Sequence, residues 1–378
     1  MIKFWSYKNE YKKNKKKILK IIDNSLNSGV TFFGNNLLNF EKKFTKKYKS
    51  KYGVAIRSGT DALLISLLAI GIKKGDEVIT AANTAIPTIS AIINSGATPK
   101  LVDINDDDYL INVGKIEKKI TAKTKAIIPV HLYGQSADMN KIIKLAKFYN
   151  LKVIEDCAQA QGAKYKGKYV GTLGNLGCFS FYPTKILGAY GDGGFILTNN
   201  KRIYDKAKRI RFYGIETENK KSKFNNKYYA NEFGINSRLD EIQASILNYK
   251  LNKVDSYIKR RREIANIYKK QLMSTNIILP KENSHNLHVY HLFTVYHKQA
   301  NKIIKELKKH KIEIRVIYPY PINKMKGFNE FKFKNEEYLN SEKISKGIFS
   351  LPLYPEIKNK QIFTVCVKLK KILKELST

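Results

Sequence analysis

The sequence SFYPTKILGAYGDGG, residues 180–194, places Lys185 between an aromatic-proline turn and a glycine-rich loop. The glycines let the backbone pass close to a ligand or to a neighbouring subunit. A lysine held in such surroundings loses water, which lowers its pKa and makes the amine nucleophilic. The alternative is the phosphate-binding lysine of a Walker loop, but the pattern GxxxxGK followed by Ser or Thr is absent from the sequence. We therefore interpret Lys185 as a nucleophile.

Short β-rich runs alternate with helical patterns through the first 200 residues. We predict helices at 58–72, 87–96 and 138–150, and strands at 52–56, 77–80, 100–104, 125–134, 151–157, 178–183 and 194–200. Strands separated by helices indicate a mainly parallel sheet that is covered on both faces. The fold class is therefore α/β, with a large domain built on a seven-stranded sheet.

The pattern changes near Gly234. Residues 237–272 have helical spacing without a Gly or Pro, which predicts one long helix. A strand at 287–297, a helix from about Asn301, a strand at 312–318 and closing helices follow. These elements predict a smaller C-terminal α+β domain. We expect residues 1–240 to form an N-terminal segment and the large domain, and residues 241–378 to form the connecting helix and the small domain.

The chain is strongly basic, with a formal net charge of +38. The lysines are scattered along the whole chain and accompany abundant Asn, Ile and Tyr, and no RNA- or DNA-binding motif is present. We therefore do not expect a nucleic-acid partner, and a positive surface favours an anionic small substrate. Three widely spaced cysteines predict free thiols in a reducing compartment and neither a disulfide framework nor a zinc site. Together with the lack of a long apolar run or a signal peptide, they lead us to expect a cytoplasmic protein without a metal site.

Two further segments suggest a ligand site. The turn of Ser58, Gly59 and Thr60 lies between a strand and a helix N-terminus, where backbone N–H groups receive phosphate well, although the turn could simply cap the helix. Asp156 ends a strand at the edge where doubly wound sheets bind ligands, although it could instead cap the next turn. A fixed acid there can hold a protonated ring nitrogen. With the amine of Lys185, these groups together predict pyridoxal phosphate chemistry.

Seven motifs occur in an order that resembles the sugar aminotransferases of the DegT/DnrJ/EryC1/StrS family. They are SGTDAL (58–63), GDEVIT (75–80), GATPKLVDI (96–104), PVHLYGQSADM (129–139), EDCAQAQGA (155–163), SFYPTKILGAYGDGG (180–194) and GINSRLDEIQA (234–244). The resemblance covers nearly the whole chain. It implies fold type I of the pyridoxal phosphate-dependent transferases, which is the aspartate aminotransferase-like architecture, and it implies a homodimer.

The resemblance also implies roles for individual residues. Lys185 would bind the cofactor covalently, Asp156 would pair with the ring nitrogen, and Gln159 would lie near the hydroxyl side of the ring. The cofactor phosphate would be held by Ser58, Gly59, Thr60 and Ser180. Asn236 would reach the cofactor site of the partner subunit, and Tyr182 and Tyr318 would handle the substrate.

The sequence departs from its relatives at two positions. Many relatives carry at the position of Ala85 an aromatic residue that stacks on the cofactor ring, and some carry His at the position of Ile317. Some family members replace the reactive lysine by His and act as dehydratases. Because this chain keeps Lys185, the resemblance favours transamination.

The implied reaction moves an amino group from glutamate to a keto group on a nucleotide-linked hexose. The preferred substrate is a dTDP-3-keto-6-deoxyhexose aminated at C-3, for surface polysaccharide or glycan biosynthesis. Amination at C-4 or a UDP-linked sugar remains open. The non-enzyme alternative is a regulator with the same fold or a basic nucleic-acid-binding protein.

Overall fold

A computed structural model describes residues 1–216 and 229–376. Its strands are β1 (Tyr52–Ile56), β2 (Glu77–Ala81), β3 (Thr98–Val102), β4 (Thr124–Ile128), β5 (Lys152–Asp156), β6 (Lys164–Tyr165), β7 (Lys168–Tyr169), β8 (Leu176–Ser180), β9 (Gly194–Thr198), β10 (Asn286–Leu287), β11 (Phe293–Tyr296) and β12 (Ile348–Leu351). Its helices are α1 (Lys8–Asn27), α2 (Asn35–Tyr48), α3 (Gly59–Ala69), α4 (Ile86–Asn94), α5 (Met139–Phe148), α6 (Lys201–Ile210), α7 (Glu241–Leu251), α8 (Val254–Leu272), α9 (Ala300–Lys309), α10 (Leu339–Gly347) and α11 (Asn359–Glu375).

A seven-stranded sheet forms the centre of the molecule, in the order β1-β9-β8-β5-β4-β2-β3. The pairs from β8 to β3 are parallel, and β9 is antiparallel to both of its neighbours. All residues of β8 and β9 are buried, as expected for strands covered on both faces. The predicted α/β class and the mainly parallel seven-stranded sheet are therefore confirmed.

The single antiparallel strand follows from the connection that carries Lys185. Parallel neighbours need a crossover, which is usually a helix. Residues 181–193 instead form a loop that returns directly from β8 to β9. The loop therefore stays at the carboxyl edge of the sheet, where β1, β2, β4 and β5 also end and where this architecture binds ligands.

The predicted long helix over 237–272 is wrong in two respects, because residues 237–240 precede the helix start and the rest consists of α7 and α8. The chain turns at Asn252 and Lys253 although neither residue is a helix breaker. Leu251 and Val254, on either side of the turn, pack into the same core. Tertiary packing thus overrides the helical spacing.

A second core is built from α8, α9, α11 and the pair β11 and β12. The predicted strand at 287–297 is interrupted, because Tyr290 adopts a left-handed backbone conformation with φ of 46° between β10 and β11. The predicted strand at 312–318 is also wrong, since that segment makes isolated bridges through Ile312 and Arg315. The partner of β11 is β12, which the sequence patterns did not reveal. The domain boundary at residue 240 stays a prediction.

Cys157, Cys178 and Cys366 are unpaired and buried, in agreement with the predicted free thiols. Among the described residues, no helix combines the length and the apolar character that a membrane crossing requires.

Candidate active site

The carboxyl edge of the sheet opens into a cavity of about 550 Å³. Nine of the ten predicted site residues line it: Ser58, Gly59, Thr60, Asp156, Gln159, Ser180, Tyr182, Lys185 and Tyr318. The tenth, Asn236, does not. Eight of these nine residues share the cavity because β1, β5 and β8 end at the same edge, and Tyr318 reaches it from the C-terminal part of the chain.

One side of the cavity is the start of α3. Ser58 caps this helix, since its side chain accepts a hydrogen bond of 3.1 Å from the N–H of Asp61. The capping alternative is therefore correct for Ser58, and the N-terminal N–H groups of the helix still face a cavity. A Cβ atom at Gly59 would lie 2.6 Å from the Cβ atom of Ser180. Only glycine lets the helix start approach Ser180 this closely, which forms a cradle suited to a phosphate.

Asp156 ends β5 and is held by two hydrogen bonds. One carboxylate oxygen accepts from the hydroxyl of Thr88 at 2.9 Å, and the other accepts from the N–H of Ala158 at 3.1 Å. The hydroxyl of Thr84 lies 2.9 Å from that of Thr88 and adds a further hydrogen bond to this series. Burial raises the pKa of Asp156, while the Ala158 and Thr88 hydrogen bonds and the charge of Lys185 act to lower it. Asp156 therefore caps the next turn and also lines the cavity.

Lys185 follows a turn in which its N–H donates to the carbonyl of Tyr182 at 2.8 Å. Pro183 suits this turn because its φ is fixed near the required value. The side chain is half-buried and faces the cavity. Loss of water lowers the pKa of Lys185 from 10.5 to about 8, and the negative charge of Asp156 opposes that shift. The amine is thus predisposed to be a nucleophile near neutral pH.

Gln159 connects two tyrosines across the cavity. Its carbonyl oxygen accepts from the N–H of Tyr133 at 2.8 Å, and its amide donates to the hydroxyl of Tyr318 at 2.9 Å. Burial raises the pKa of Tyr318, so its hydroxyl keeps its proton at neutral pH. Tyr182 is 52% exposed at the mouth of the same cavity.

Asn236 is exposed and lies beside the start of α3, not in the cavity. The hydroxyl of Ser237 donates to Asp61 at 2.7 Å, and Arg238 donates to the side-chain oxygen of Asn236 at 3.0 Å. Asn236 does not cap the following helix. That helix begins at Glu241, and Asp240 caps it.

The two departures from the family pattern can be located. Ala85 lines the cavity just before α4 and contributes no ring, whereas Tyr320, which the sequence analysis did not select, lines the cavity with 64% of its surface exposed. At Ile317 the backbone carbonyl accepts a hydrogen bond of 2.5 Å from the hydroxyl of Tyr133. The side chain of Ile317 packs against a hydrophobic core, so it supplies no proton.

A group of potential metal ligands lies beneath β5. His131, Glu155 and Cys157 are buried and close together. His131 accepts from the N–H of Ala137 through Nδ1 and donates through Nε2 to Glu155 at 3.0 Å. Glu155 also accepts three backbone N–H groups from residues 171, 173 and 174. Since the nitrogens and the carboxylate already have partners, this group is a structural network.

Known proteins resemble this chain in sequence and fold over nearly its full length. The DegT/DnrJ/EryC1/StrS aminotransferase family matches residues 12–370. The chain is 42% identical to dTDP-3-amino-3,6-dideoxy-alpha-D-galactopyranose transaminase of Aneurinibacillus thermoaerophilus, over 96% of this chain and 97% of that protein. It is 39% identical to dTDP-3-amino-3,4,6-trideoxy-alpha-D-glucose transaminase of Micromonospora megalomicea subsp. nigra, over 93% of this chain and 94% of that protein. The crystal structure of DesV from S. venezuelae in complex with a ketimine intermediate superposes with a TM-score of 0.93 at 33% identity, covering 98% of each chain.

Other relatives have different names. The UDP-N-acetyl-3-dehydro-alpha-D-glucosamine 3-aminotransferase of Acidithiobacillus ferrooxidans is 38% identical over 85% of this chain and 84% of that protein. A protein of Geobacillus stearothermophilus that is 39% identical over 93% of both chains is named a pleiotropic regulatory protein.

The lowered pKa of Lys185 predicts a specific pH dependence in the cofactor-free protein. At pH 7.5 an amine with a pKa of about 8 is about one quarter neutral, whereas an amine at 10.5 is about one thousandth neutral. Acylation of Lys185 by a limiting reagent, followed by mass spectrometry of its peptide, should rise with a midpoint near pH 8. The internal control is exposed Lys201, whose pKa is raised by its hydrogen bond with Asp205. Equal midpoints for both lysines would contradict the prediction.

Proposed function

The chain belongs to the DegT/DnrJ/EryC1/StrS aminotransferase family, and on this basis we propose that it transfers the amino group of glutamate to a keto group of a nucleotide-linked hexose. It is an enzyme, and its cofactor is pyridoxal phosphate, as in the family. The observation that carries the proposal is the meeting of the Lys185 amine, the Asp156 carboxyl and the start of α3 in one cavity.

The cavity fits the cofactor in shape and chemistry. The cradle of Ser58, Gly59, Thr60 and Ser180 would hold the phosphate, and Asp156 would face the ring nitrogen. When bound, pyridoxal phosphate supplies an electron-accepting ring next to the reacting amino group. A positive ring nitrogen beside Asp156 would favour its ionised form, in opposition to the effect of burial.

Lys185 has two roles in the proposal. Its amine binds the cofactor, which needs the neutral form that a lowered pKa provides. Once free, the same amine moves the proton of the amino-acid α-carbon, because a base with a pKa near the working pH is effective in both directions. The hydroxyls of Tyr182 and Tyr318 would orient the sugar at the mouth of the cavity.

For the substrate we prefer a dTDP-3-keto-6-deoxyhexose aminated at C-3. Relatives named as dTDP-sugar transaminases support this preference, while a relative named for a UDP-linked sugar leaves the identity of the nucleotide undecided. A panel of dTDP- and UDP-linked 3-keto and 4-keto sugars, each with glutamate, tests it by mass and NMR analysis of the products. Faster turnover of a 4-keto or UDP-linked sugar than of the dTDP-linked 3-keto sugar would contradict our assignment.

A homodimer with shared sites is the second part of the proposal. Among the described residues that line the cavity, Lys185 is the sole cation, yet glutamate carries two carboxylates and the diphosphate of a nucleotide-linked sugar carries two negative charges. Asn236 lies on a surface with exposed aromatic residues, and Arg238 stacks on Phe32 at 4.4 Å and near Phe212 at 5.4 Å. The exposed members are Phe32, Phe33, Tyr213 and Phe233. An apolar surface of this kind suits a second copy of the chain.

Replacement of the lysine tests the nucleophile. Lys185→Ala should abolish transamination while the protein stays folded, because no other amine lines the described cavity. Pyridoxal phosphate should then bind only non-covalently, so that borohydride no longer attaches it to the chain. Attachment of the cofactor in this variant would show that another lysine is the nucleophile.

Replacement of the acid tests the ring-nitrogen contact. Asp156→Asn should bind the cofactor but turn over at least about a hundredfold more slowly, because an amide cannot supply the charge. Thr88→Val removes one hydrogen bond and keeps the charge, so its turnover should fall much less. Comparable turnover of Asp156→Asn and the unmodified enzyme would refute the role.

A subunit-mixing experiment tests the shared site. If Asn236 serves the partner, a dimer of one Lys185→Ala subunit and one Asn236→Ala subunit has one intact site and one doubly defective site. Random pairing makes half of the dimers mixed, so activity should return to about a quarter of the unmodified level. The test requires that Asn236→Ala alone is strongly impaired. Activity no higher than that of the separate variants would place Asn236 in its own subunit's site.

A further inference from the structure

The loop that carries Lys185 is closed at its base by backbone hydrogen bonds. The N–H of Phe181 donates to the carbonyl of Gly193, and the N–H of Ala189 donates to the carbonyl of Phe181, both at 2.7 Å. Within the loop, a Cβ atom at Gly188 would lie 2.5 Å from the carbonyl oxygen of Pro183. The segment from Pro183 to Gly188 is therefore a compact unit with Lys185 at its centre.

One buried side chain binds the backbone on both sides of Lys185. Gln161 is 1% exposed, and its amide nitrogen donates to the carbonyls of Ser180 at 2.6 Å and Leu187 at 3.2 Å. Its oxygen accepts from the N–H of Leu187 at 2.8 Å. A single planar amide thus fixes the chain five residues before Lys185 and two residues after it.

Gln161 belongs to the same short segment as two site residues. Asp156 and Gln159 precede it by five and two positions, and both line the cavity that Lys185 faces. The hydrogen bonds of Gln161 therefore connect the segment that holds the acid to the loop that holds the amine. Ser180, to which Gln161 also bonds, is part of the phosphate cradle.

We propose that Gln161 is a positioning residue that sets where the Lys185 amine and Ser180 lie relative to Asp156. The proposal rests on the proposed function, in which these three residues act on one cofactor. The alternative is a purely structural role, in which Gln161 supplies hydrogen bonds to buried backbone groups. Gln135 provides the comparison, since it is 2% exposed and binds the backbone of Lys281 and Asn283 in the same donor-and-acceptor manner, outside the residues that line the cavity.

The reactivity of Lys185 in the cofactor-free protein separates the two alternatives. The charged and titratable groups around Lys185 include Asp156 and His291 and, around a small cavity behind the loop, Glu10, Lys250, Tyr257, Arg261 and Glu356. Gln161 is uncharged and absent from that set. Its replacement by an uncharged side chain can therefore alter the titration of Lys185 only by moving the loop or admitting water.

The experiment compares Gln161→Met with Gln135→Met by acylation of Lys185 across pH. In Gln161→Met the midpoint should rise by about one pH unit, because a loosened loop gives the amine back part of its water. The rate at which borohydride-fixable cofactor forms at pH 7.5 should fall about tenfold. Gln135→Met should match the unmodified protein in both measurements even if it melts at a lower temperature. Equal Lys185 midpoints in the two variants would overturn the proposal.

A second variant keeps the test decisive if Gln161→Met does not fold. The amide of Gln161 has two N–H donors and one acceptor, whereas protonated Gln161→Glu has one O–H donor and one carbonyl acceptor and can keep the bond from the Leu187 N–H and the bond to one of the two carbonyls. When ionised, Gln161→Glu offers only acceptors to the two carbonyls. Two rates should therefore be close to those of the unmodified protein at pH 5.5 and differ from them at pH 8, with both proteins compared at the same pH. They are the rate of exchange of the Leu187 amide hydrogen and the rate at which borohydride-fixable cofactor forms. A constant ratio to the unmodified protein across this range would overturn the proposal. Activity in Lys185→Ala would instead overturn the proposed function, and the two failures are thus distinct.

Discussion

The site depends on keeping a lysine amine away from bulk water beside a carboxyl group. Each group alone would be unfavourable there, since burial lowers the pKa of Lys185 and raises that of Asp156. The charge of each group partly offsets the cost of burying the other. The remaining imbalance leaves an amine with a pKa of about 8, which is suited to both nucleophilic attack and proton transfer.

The segment that follows β5 holds these groups in place. Asp156 is fixed by Thr88, Gln159 bridges to Tyr318, and Gln161 holds the loop of Lys185. Three side chains of one six-residue segment thus point to three different parts of the molecule. The sheet makes this possible because its parallel strands deliver those parts to a common edge.

Much of this architecture was predictable, and the failures have physical causes. Strands such as β4 and β5 each contain two adjacent β-branched residues, Ile127 with Ile128 and Val153 with Ile154, and their positions are local properties of the sequence. The turn between α7 and α8 and the interruption at Tyr290 come from packing between distant segments, which no local pattern records. The roles of Thr88 and Gln161 were missed for the same reason, since each hydrogen bond joins residues that lie far apart along the chain.

The charge distribution supports the proposed homodimer. Scattered lysines give the chain a net charge of +38, yet the described lining of the cavity holds two acids, Asp156 and Asp192, and the single cation Lys185. Once Lys185 is bound to the cofactor, that lining has no free cation for the carboxylates of glutamate or a nucleotide diphosphate. Asn236 and Arg238 lie nearby on an aromatic surface that faces outward. A neighbouring copy that covers this surface would bring polar and positive groups to the cavity. Substrate binding would then require the dimer.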